Sequence, residues 1–135
     1  MTNLKRLDHV AVLVPDLDEA LSFWQEKLGF ELDHVETISS MAVKIAFLPI
    51  GESEIELVQP TSEDSGLAKF LEKRGPGLHH ICLEVEDISE KLLDLKDKGV
   101  RLIDEEPVTM DDGRKLAFLH PKSAGGVLVE LYELP

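Results

Sequence analysis

Cysteine occurs once in the 135 residues, at Cys82, which excludes an intramolecular disulfide and any zinc site built from four thiolates. That usage fits a reducing compartment, cytoplasmic, or the mitochondrial matrix if a transit peptide has been removed. Aromatic residues are scarce, with five Phe, one Trp and one Tyr, so the core must be aliphatic and base-stacking platforms for single strands are not expected. Basic residues are outnumbered: 14 Lys and Arg stand against 27 Asp and Glu, for a net charge of −13. The densest basic stretch, around Lys69, Lys73 and Arg74, is interrupted by Glu72. Nucleic-acid binding by phosphate neutralisation is thereby excluded. The longest apolar runs, such as Val10 to Val14, fall far short of the roughly 20 residues that span a bilayer, so no membrane segment is expected. The N-terminal MTNLKRLDHV has no apolar stretch of the kind a secretory signal requires. What is present, 43% hydrophobic and 30% charged residues, is the composition of a soluble globular protein, with a length that fits one domain over residues 1–135.

An internal repeat organises the chain. Asp8-His9-Val10-Ala11-Val12-Leu13-Val14-Pro15-Asp16-Leu17 lies over His79-His80-Ile81-Cys82-Leu83-Glu84-Val85-Glu86-Asp87-Ile88, 71 positions later. Asp16 and Glu19 keep the same offset to Asp87 and Glu90, and Gly29 and Gly99 are 70 apart. Each copy opens with an alternating stretch, Val10-Val12-Val14 or Ile81-Leu83-Val85, that predicts a half-buried strand. Asp16 with Glu19, and Asp87 with Glu90, then mark helix starts. Leu17, Ala20, Leu21, Trp24 and Leu28, like Ile88, Leu92 and Leu95, recur at helical steps, and the two glycines close the helices. Strands are predicted over Phe30–Glu36, Val43–Leu48 and Glu54–Val58 in the first copy, and over Val100–Ile103, Lys115–Leu119 and Val127–Tyr132 in the second. The order βαβββ thus occurs twice, over about 5–60 and 78–133. A linker of about 61–77 carries a short helix near Ser65–Lys73; neither half alone is expected to cover both faces of its sheet.

Polar residues recur at matched positions. His9 corresponds to His80 at the start of each first strand, and Glu56 to Glu130 in each last strand. Both glutamates lie between aliphatic neighbours, so alternation places them on the opposite face, the concave face of a curved sheet. Singly, each of these residues reads as ordinary surface or core. As a duplicated set, His9, Glu56, His80 and Glu130 fit four ligands of one divalent ion of intermediate softness, with two coordination positions left for substrate. Such an ion would polarise a substrate carrying two chelating oxygens and stabilise an enolate, with a glutamate as base. His79 should face away from His80 and pack or hydrogen-bond. His120 is a further candidate at the rim of the site, and His34 is assigned to the surface.

The chain resembles the vicinal oxygen chelate, or glyoxalase-like, superfamily, which is built from paired βαβββ modules. The residues that carry the likeness are Leu7-Asp8-His9-Val10-Ala11, Glu56-Leu57-Val58-Gln59-Pro60, Ala68-Lys69-Phe70-Leu71, Gly77-Leu78-His79-His80-Ile81-Cys82, Ala117 to Lys122 and Gly126 to Leu131. The HHI, FLHPK and GVLVEL pieces together point to the branch that epimerises methylmalonyl-CoA. The resemblance implies an α+β fold, two paired modules forming a curved, mostly antiparallel sheet around a metal site. It implies cobalt, manganese or zinc held by His9, Glu56, His80 and Glu130, a CoA thioester as the small-molecule partner, and a homodimer. Glu130 is the first choice for one acid/base residue. Lys44 aligns where some relatives place a second, but reads as a solvated strand residue rather than a base; Lys44, Lys122 and His120 are candidate substrate contacts. The segment Met110-Asp111-Asp112-Gly113-Arg114 departs from the glycine-rich GAxG of many relatives.

Other readings of the same fold are a lactoylglutathione lyase-type isomerase, a ring-cleaving dioxygenase and a non-catalytic small-molecule-binding protein. Substrate loops separate the first from the epimerase. The fourth candidate ligand, Glu56, argues against the second, and a complete ligand set against the third.

Overall fold

The computed structural model describes residues 3–135; Met1 and Thr2, at the head of the stretch read for a signal, lie outside the described residues. The backbone divides into two units, one formed by the residues up to His9 together with His80–Pro135, the other by Val10–His79. The division passes through β1 (Leu4–Leu13), the strand expected to open the first module. Among the described residues no helix is long and apolar enough to cross a membrane.

In the Val10–His79 unit the strand order is β2-β3-β4-β1, with β2 at His34–Ile38, β3 at Val43–Ile50 and β4 at Ser53–Pro60. The β2–β3 and β3–β4 pairs are antiparallel, and Ala46 stands opposite Leu57. Helix α1 (Leu17–Leu21) starts at Asp16, whose carboxylate accepts from the Glu19 amide. Its first amide, Leu17 N, donates to Gln59 Oε1 at 2.7 Å, so a side chain of β4 satisfies an otherwise orphan donor. One face of this sheet packs on α1 through Val12, Val14, Ala46, Leu48 and Leu57. The other, with Ala11, Leu13, Val43, Ile45 and Val58, receives Leu67, Phe70 and Leu71 of α2 (Gly66–Arg74). The expected linker helix is therefore a layer of this unit, which covers both faces of its own sheet.

Two boundaries differ from expectation. The helix expected to reach Gly29 is α-helical only to Leu21 and continues as a π-helical segment over Ser22–Lys27, with Leu28 N donating to Phe23 O. The wider turn advances each residue by less than the about 100° of an α-helix. Ala20, Leu21 and Trp24 stay on the core while Leu28 is turned out to solvent. The strand expected from Phe30 begins only at His34, because Phe30 and Leu32 pack on the α1 core before pairing starts.

In the other unit the order is β1-β5-β8-β7-β6, with β5 at Gly77–Val85, β6 at Val108–Thr109, β7 at Lys115–Leu119 and β8 at Val129–Glu133. The β5–β8 pair is parallel, while β7–β8 and β6–β7 are antiparallel. Val85, Ala117, Leu119, Val129 and Leu131 pack on Ile88 and Leu92 of α3 (Ile88–Asp97). Helix α3 repeats the start of α1: Asp87 accepts from Glu90 N, and Ile88 N donates to Glu133 Oε1 at 2.8 Å. The expected strand Val100–Ile103 reduces to one bridge, Leu102 to Leu119. There the Asp104 carboxylate accepts from Phe118 N, and Ile103 N and Asp104 N both donate to Phe118 O. A side chain thus takes the ladder position that a continuing strand would need, and pairing with β7 resumes only at Val108. The fold is α+β, with the βαβββ order present twice.

Candidate metal and active site

On β8, alternation sends Val129 and Leu131 to the α3 core and leaves Glu130 and Tyr132 on the opposite face. The parallel register sets Cys82 beside Glu130 and Glu84 beside Tyr132, so β5 presents His80, Cys82 and Glu84 on that same face. His9, on the part of β1 in this unit, completes the group. Its Nε2 lies 3.3 Å from His80 Nε2 and 3.4 Å from Glu130 Oε1, and His80 Nε2 lies 3.1 Å from Glu130 Oε1. His9 and Glu130 are each only 6% exposed. Burial alone would raise the Glu130 pKa; its close contacts with His80 and then His9 outweigh it and hold the carboxyl down at about 2. Glu130 is therefore an anion at any working pH.

Around this trio the other groups are fixed. His9 Nδ1 meets Asp8 Oδ2 at 2.8 Å, and Arg6 Nη2 meets Asp8 Oδ1 at 2.7 Å. Tyr132 sets its ring edge-on to His9, with centroids 6.4 Å apart. The Arg114 guanidinium stacks over the Tyr132 ring and donates to its hydroxyl. Burial pushes the Cys82 thiol up to about 12, so without an ion the sulfur beside His9 and Asp8 is a protonated thiol.

A sequence model of the glyoxalase/bleomycin resistance protein/dioxygenase superfamily matches residues 8–118. The chain is 42% identical to human mitochondrial methylmalonyl-CoA epimerase over 130 residues, 96% of this chain and 74% of that protein. It is 40% identical to an ethylmalonyl-CoA/methylmalonyl-CoA epimerase of Cereibacter sphaeroides, over 96% of this chain and 98% of that one. Among solved structures, a Streptomyces coelicolor methylmalonyl-CoA epimerase in complex with 2-nitronate-propionyl-CoA superimposes with a TM-score of 0.86 at 39% identity, covering 97% of this chain and 95% of that one. The chain belongs to the glyoxalase superfamily.

For a glyoxalase-superfamily protein the first question is whether the trio fits a divalent ion. Three donors spaced as these are share a common centre about 1.9 Å from each, close to the about 2.1 Å of metal–ligand bonds, so His9, His80 and Glu130 could hold a divalent ion. The donor chemistry agrees. With Nδ1–H donated to Asp8, a neutral His9 turns its Nε2 lone pair toward a second imidazole and an ionised carboxylate, and such converging acceptors call for a cation. The residues fit the ion.

The structure brings together three of the four ligand candidates. Glu56 belongs to the other unit, half-buried on β4 opposite Phe47, on the face it shares with Val58. Lys44, also in that unit, shares a face with Ala46 and Leu48, opposite the face of Glu56. The His120 Nδ1 accepts from Lys122 N and caps the turn Pro121–Ala124, and Lys122 is exposed on that turn. His79 packs edge-on against Phe70, and His34 is exposed and stacked on Phe47 between Asp33 and Glu36. Reading the repeat missed Arg6, Asp8, Glu84 and Tyr132 around the trio. Asp8 carried a signal, an acid directly before the repeated histidine; Tyr132 carried only its alternation with Glu130.

Proposed function

We propose that this glyoxalase-superfamily protein interconverts (2R)- and (2S)-methylmalonyl-CoA with the help of a divalent ion. The reading is supported above all by its likeness, across nearly all of both chains, to epimerases named for this substrate. His9, His80 and Glu130 would hold the ion, with Glu56 as a fourth ligand on the strength of the sequence repeat alone. Cobalt, manganese and zinc are the candidates, since two imidazoles with carboxylate suit ions of intermediate softness.

The chemistry the ion supplies when bound is Lewis-acid polarisation of the thioester carbonyl. Inversion at the carbon between thioester and carboxylate needs a proton taken from one face and returned to the other. Glu130 is proposed for one of these transfers. Always ionised, it is always able to accept a proton, and the two imidazoles at its Oε1 hold it in place without a rotamer search. Its depressed pKa makes it a weak base, so the acidity of the carbon must come mainly from polarisation of the substrate. His9 and His80 orient the carboxylate, and the aliphatic packing of Val129 and Leu131 behind it fixes the strand. Lys122 and His120, at the turn Pro121–Ala124, are proposed as substrate contacts at the site rim, with Lys44 as a further candidate contact. A homodimer in the cytoplasm, or the mitochondrial matrix after removal of a transit peptide, completes the proposal.

The test is to follow (2R)-methylmalonyl-CoA in deuterium oxide with protein stripped of metal and then reloaded. Deuterium entering the acidic carbon together with formation of the (2S) isomer, restored by one equivalent of ion per chain, is the expected result. No exchange in the loaded protein overturns the reading.

A further inference from the structure

The trio does not stand alone in its unit. His9 Nδ1 is 2.8 Å from Asp8 Oδ2, the other Asp8 oxygen is 2.7 Å from Arg6 Nη2, and Arg6 Nε is 2.6 Å from Glu84 Oε1. Lys5 closes the far end at 3.3 Å from Glu84 Oε2. Glu84 is 5% exposed, and the Asp8 side chain is 13% exposed. A buried carboxylate persists only where it is paired, and here two carboxylates share one guanidinium whose fork reaches both. The chain Glu84–Arg6–Asp8 therefore ends on one nitrogen of one imidazole.

A neutral imidazole carries its proton on one nitrogen and its lone pair on the other. A carboxylate can only accept, so Asp8 selects the Nδ1–H form of His9. The lone pair then lies on Nε2, the atom that faces His80 and Glu130. The opposite tautomer would point an N–H into the trio and oppose any cation there. Tyr132, edge-on to the ring, limits how far the imidazole can swing once its Nδ1 is held.

We propose that Asp8 is a positioning residue: braced by Arg6 and Glu84, it fixes the tautomer and the aim of His9 and so presets Nε2 as a metal ligand. The inference rests on the ion site proposed above. Its place in the reaction is upstream of chemistry, setting how tightly the ion is held rather than touching substrate.

The test uses Asp8→Ala and Asp8→Asn in the full chain, with two readouts. The first is the affinity for Zn²⁺ and Co²⁺, measured by competition with a chromophoric chelator. Loss of this second partner is expected to weaken binding by about 10- to 100-fold in Asp8→Ala, and by less in Asp8→Asn, whose amide oxygen still accepts from Nδ1–H. The second is the tautomer of His9 in the ion-free protein, read from long-range proton–nitrogen NMR couplings. The Nδ1–H form is expected in the parent and in Asp8→Asn, with a mixture in Asp8→Ala. Should Asp8→Ala fail to fold, Asp8→Asn and an Arg6→Gln variant, expected to fall between the two, carry the test. Ion affinities within twofold of the parent in every folded variant, or a His9 tautomer indifferent to residue 8, overturn the inference. If the parent binds neither ion, the proposed site fails, and the ion-free tautomer alone decides whether Asp8 orients the ring.

Discussion

The two units solve one problem differently. The sheet of Val10–His79 packs aliphatic side chains on both faces, one against α1 and the other against α2. The sheet containing His80–Pro135 packs on α3 through one face. Its other face carries His9, His80, Cys82, Glu84, Glu130 and Tyr132 with the Arg6–Asp8 brace. The same βαβββ order, with the same side chain-to-amide bond at the helix start, thus produces one unit with a helix on each face of its sheet and one whose second face carries buried polar groups. An apolar layer stabilises without specifying chemistry; a polar face costs desolvation and persists only when every group is paired. The comparison assigns stability mainly to the first unit and reactivity to the second.

The sharpest way to break that assignment is to remove a member of the trio. His80→Ala is expected to abolish stoichiometric ion binding and lower kcat/KM for methylmalonyl-CoA by about a thousandfold or more, with the folded state retained. Glu130→Gln keeps the shape and removes the charge. It is expected to reduce turnover by about 10²- to 10⁴-fold, at least as severely as it reduces ion affinity. Full turnover in either variant would take the chemistry out of this unit.

Next in size are truncations in the doubly packed sheet. Leu48 and Leu57 are fully buried, and Leu48→Ala or Leu57→Ala is expected to cost about 2–5 kcal/mol in denaturant unfolding, while turnover per folded molecule stays at the parent level. A large loss of turnover without loss of stability would contradict the division of labour.

A titration sharpens the comparison further. The Glu130 carboxyl is held at about 2, below the 4.5 of an ordinary glutamate, so its ionised form stabilises the folded state above the unfolded pKa. That contribution is lost as pH falls from about 4.5 through 2. Ion-free protein is expected to show this as a loss of stability confined to that window and absent in Glu130→Gln.

The smallest effect is a symmetric one. Asp16 and Asp87 cap α1 and α3 identically, and Asp16→Ala and Asp87→Ala are each expected to cost about 1 kcal/mol in unfolding. Costs that differ by more than twofold would show that the repeat is less symmetric energetically than it is in geometry.

Much of this was legible from residue order. The 71-residue offset exposed the duplication, the period-two strands and the two aspartate caps, because these depend on neighbours a few positions apart. Pairing the histidines and glutamates through the repeat named four ligands, of which the structure brings His9, His80 and Glu130 together while Glu56 lies in the other unit. Less accessible were the π-helical turn after Leu21, which a helical wheel drawn at α-helical spacing cannot show, and the loss of the Val100–Ile103 strand to the Asp104 side chain. The brace on His9 was equally hidden. Arg6 and Asp8 are sequence neighbours of the ligand, but Glu84 joins them from 76 positions beyond Asp8.

The order of residues by itself determined that the protein is two copies of one module with an aliphatic core, a strong acid excess and a matched set of histidines and glutamates. Hydrophobic period and cap chemistry are local, and a duplication repeats them visibly. Tertiary structure alone decided which sheet face gathers the polar groups, which carboxylate holds the Nδ1 of His9, and how far Glu130 is pushed from its ordinary pKa. Those outcomes depend on burial and on distances of about 3 Å between residues far apart in the chain, and electrostatics at that range is set by packing rather than by order.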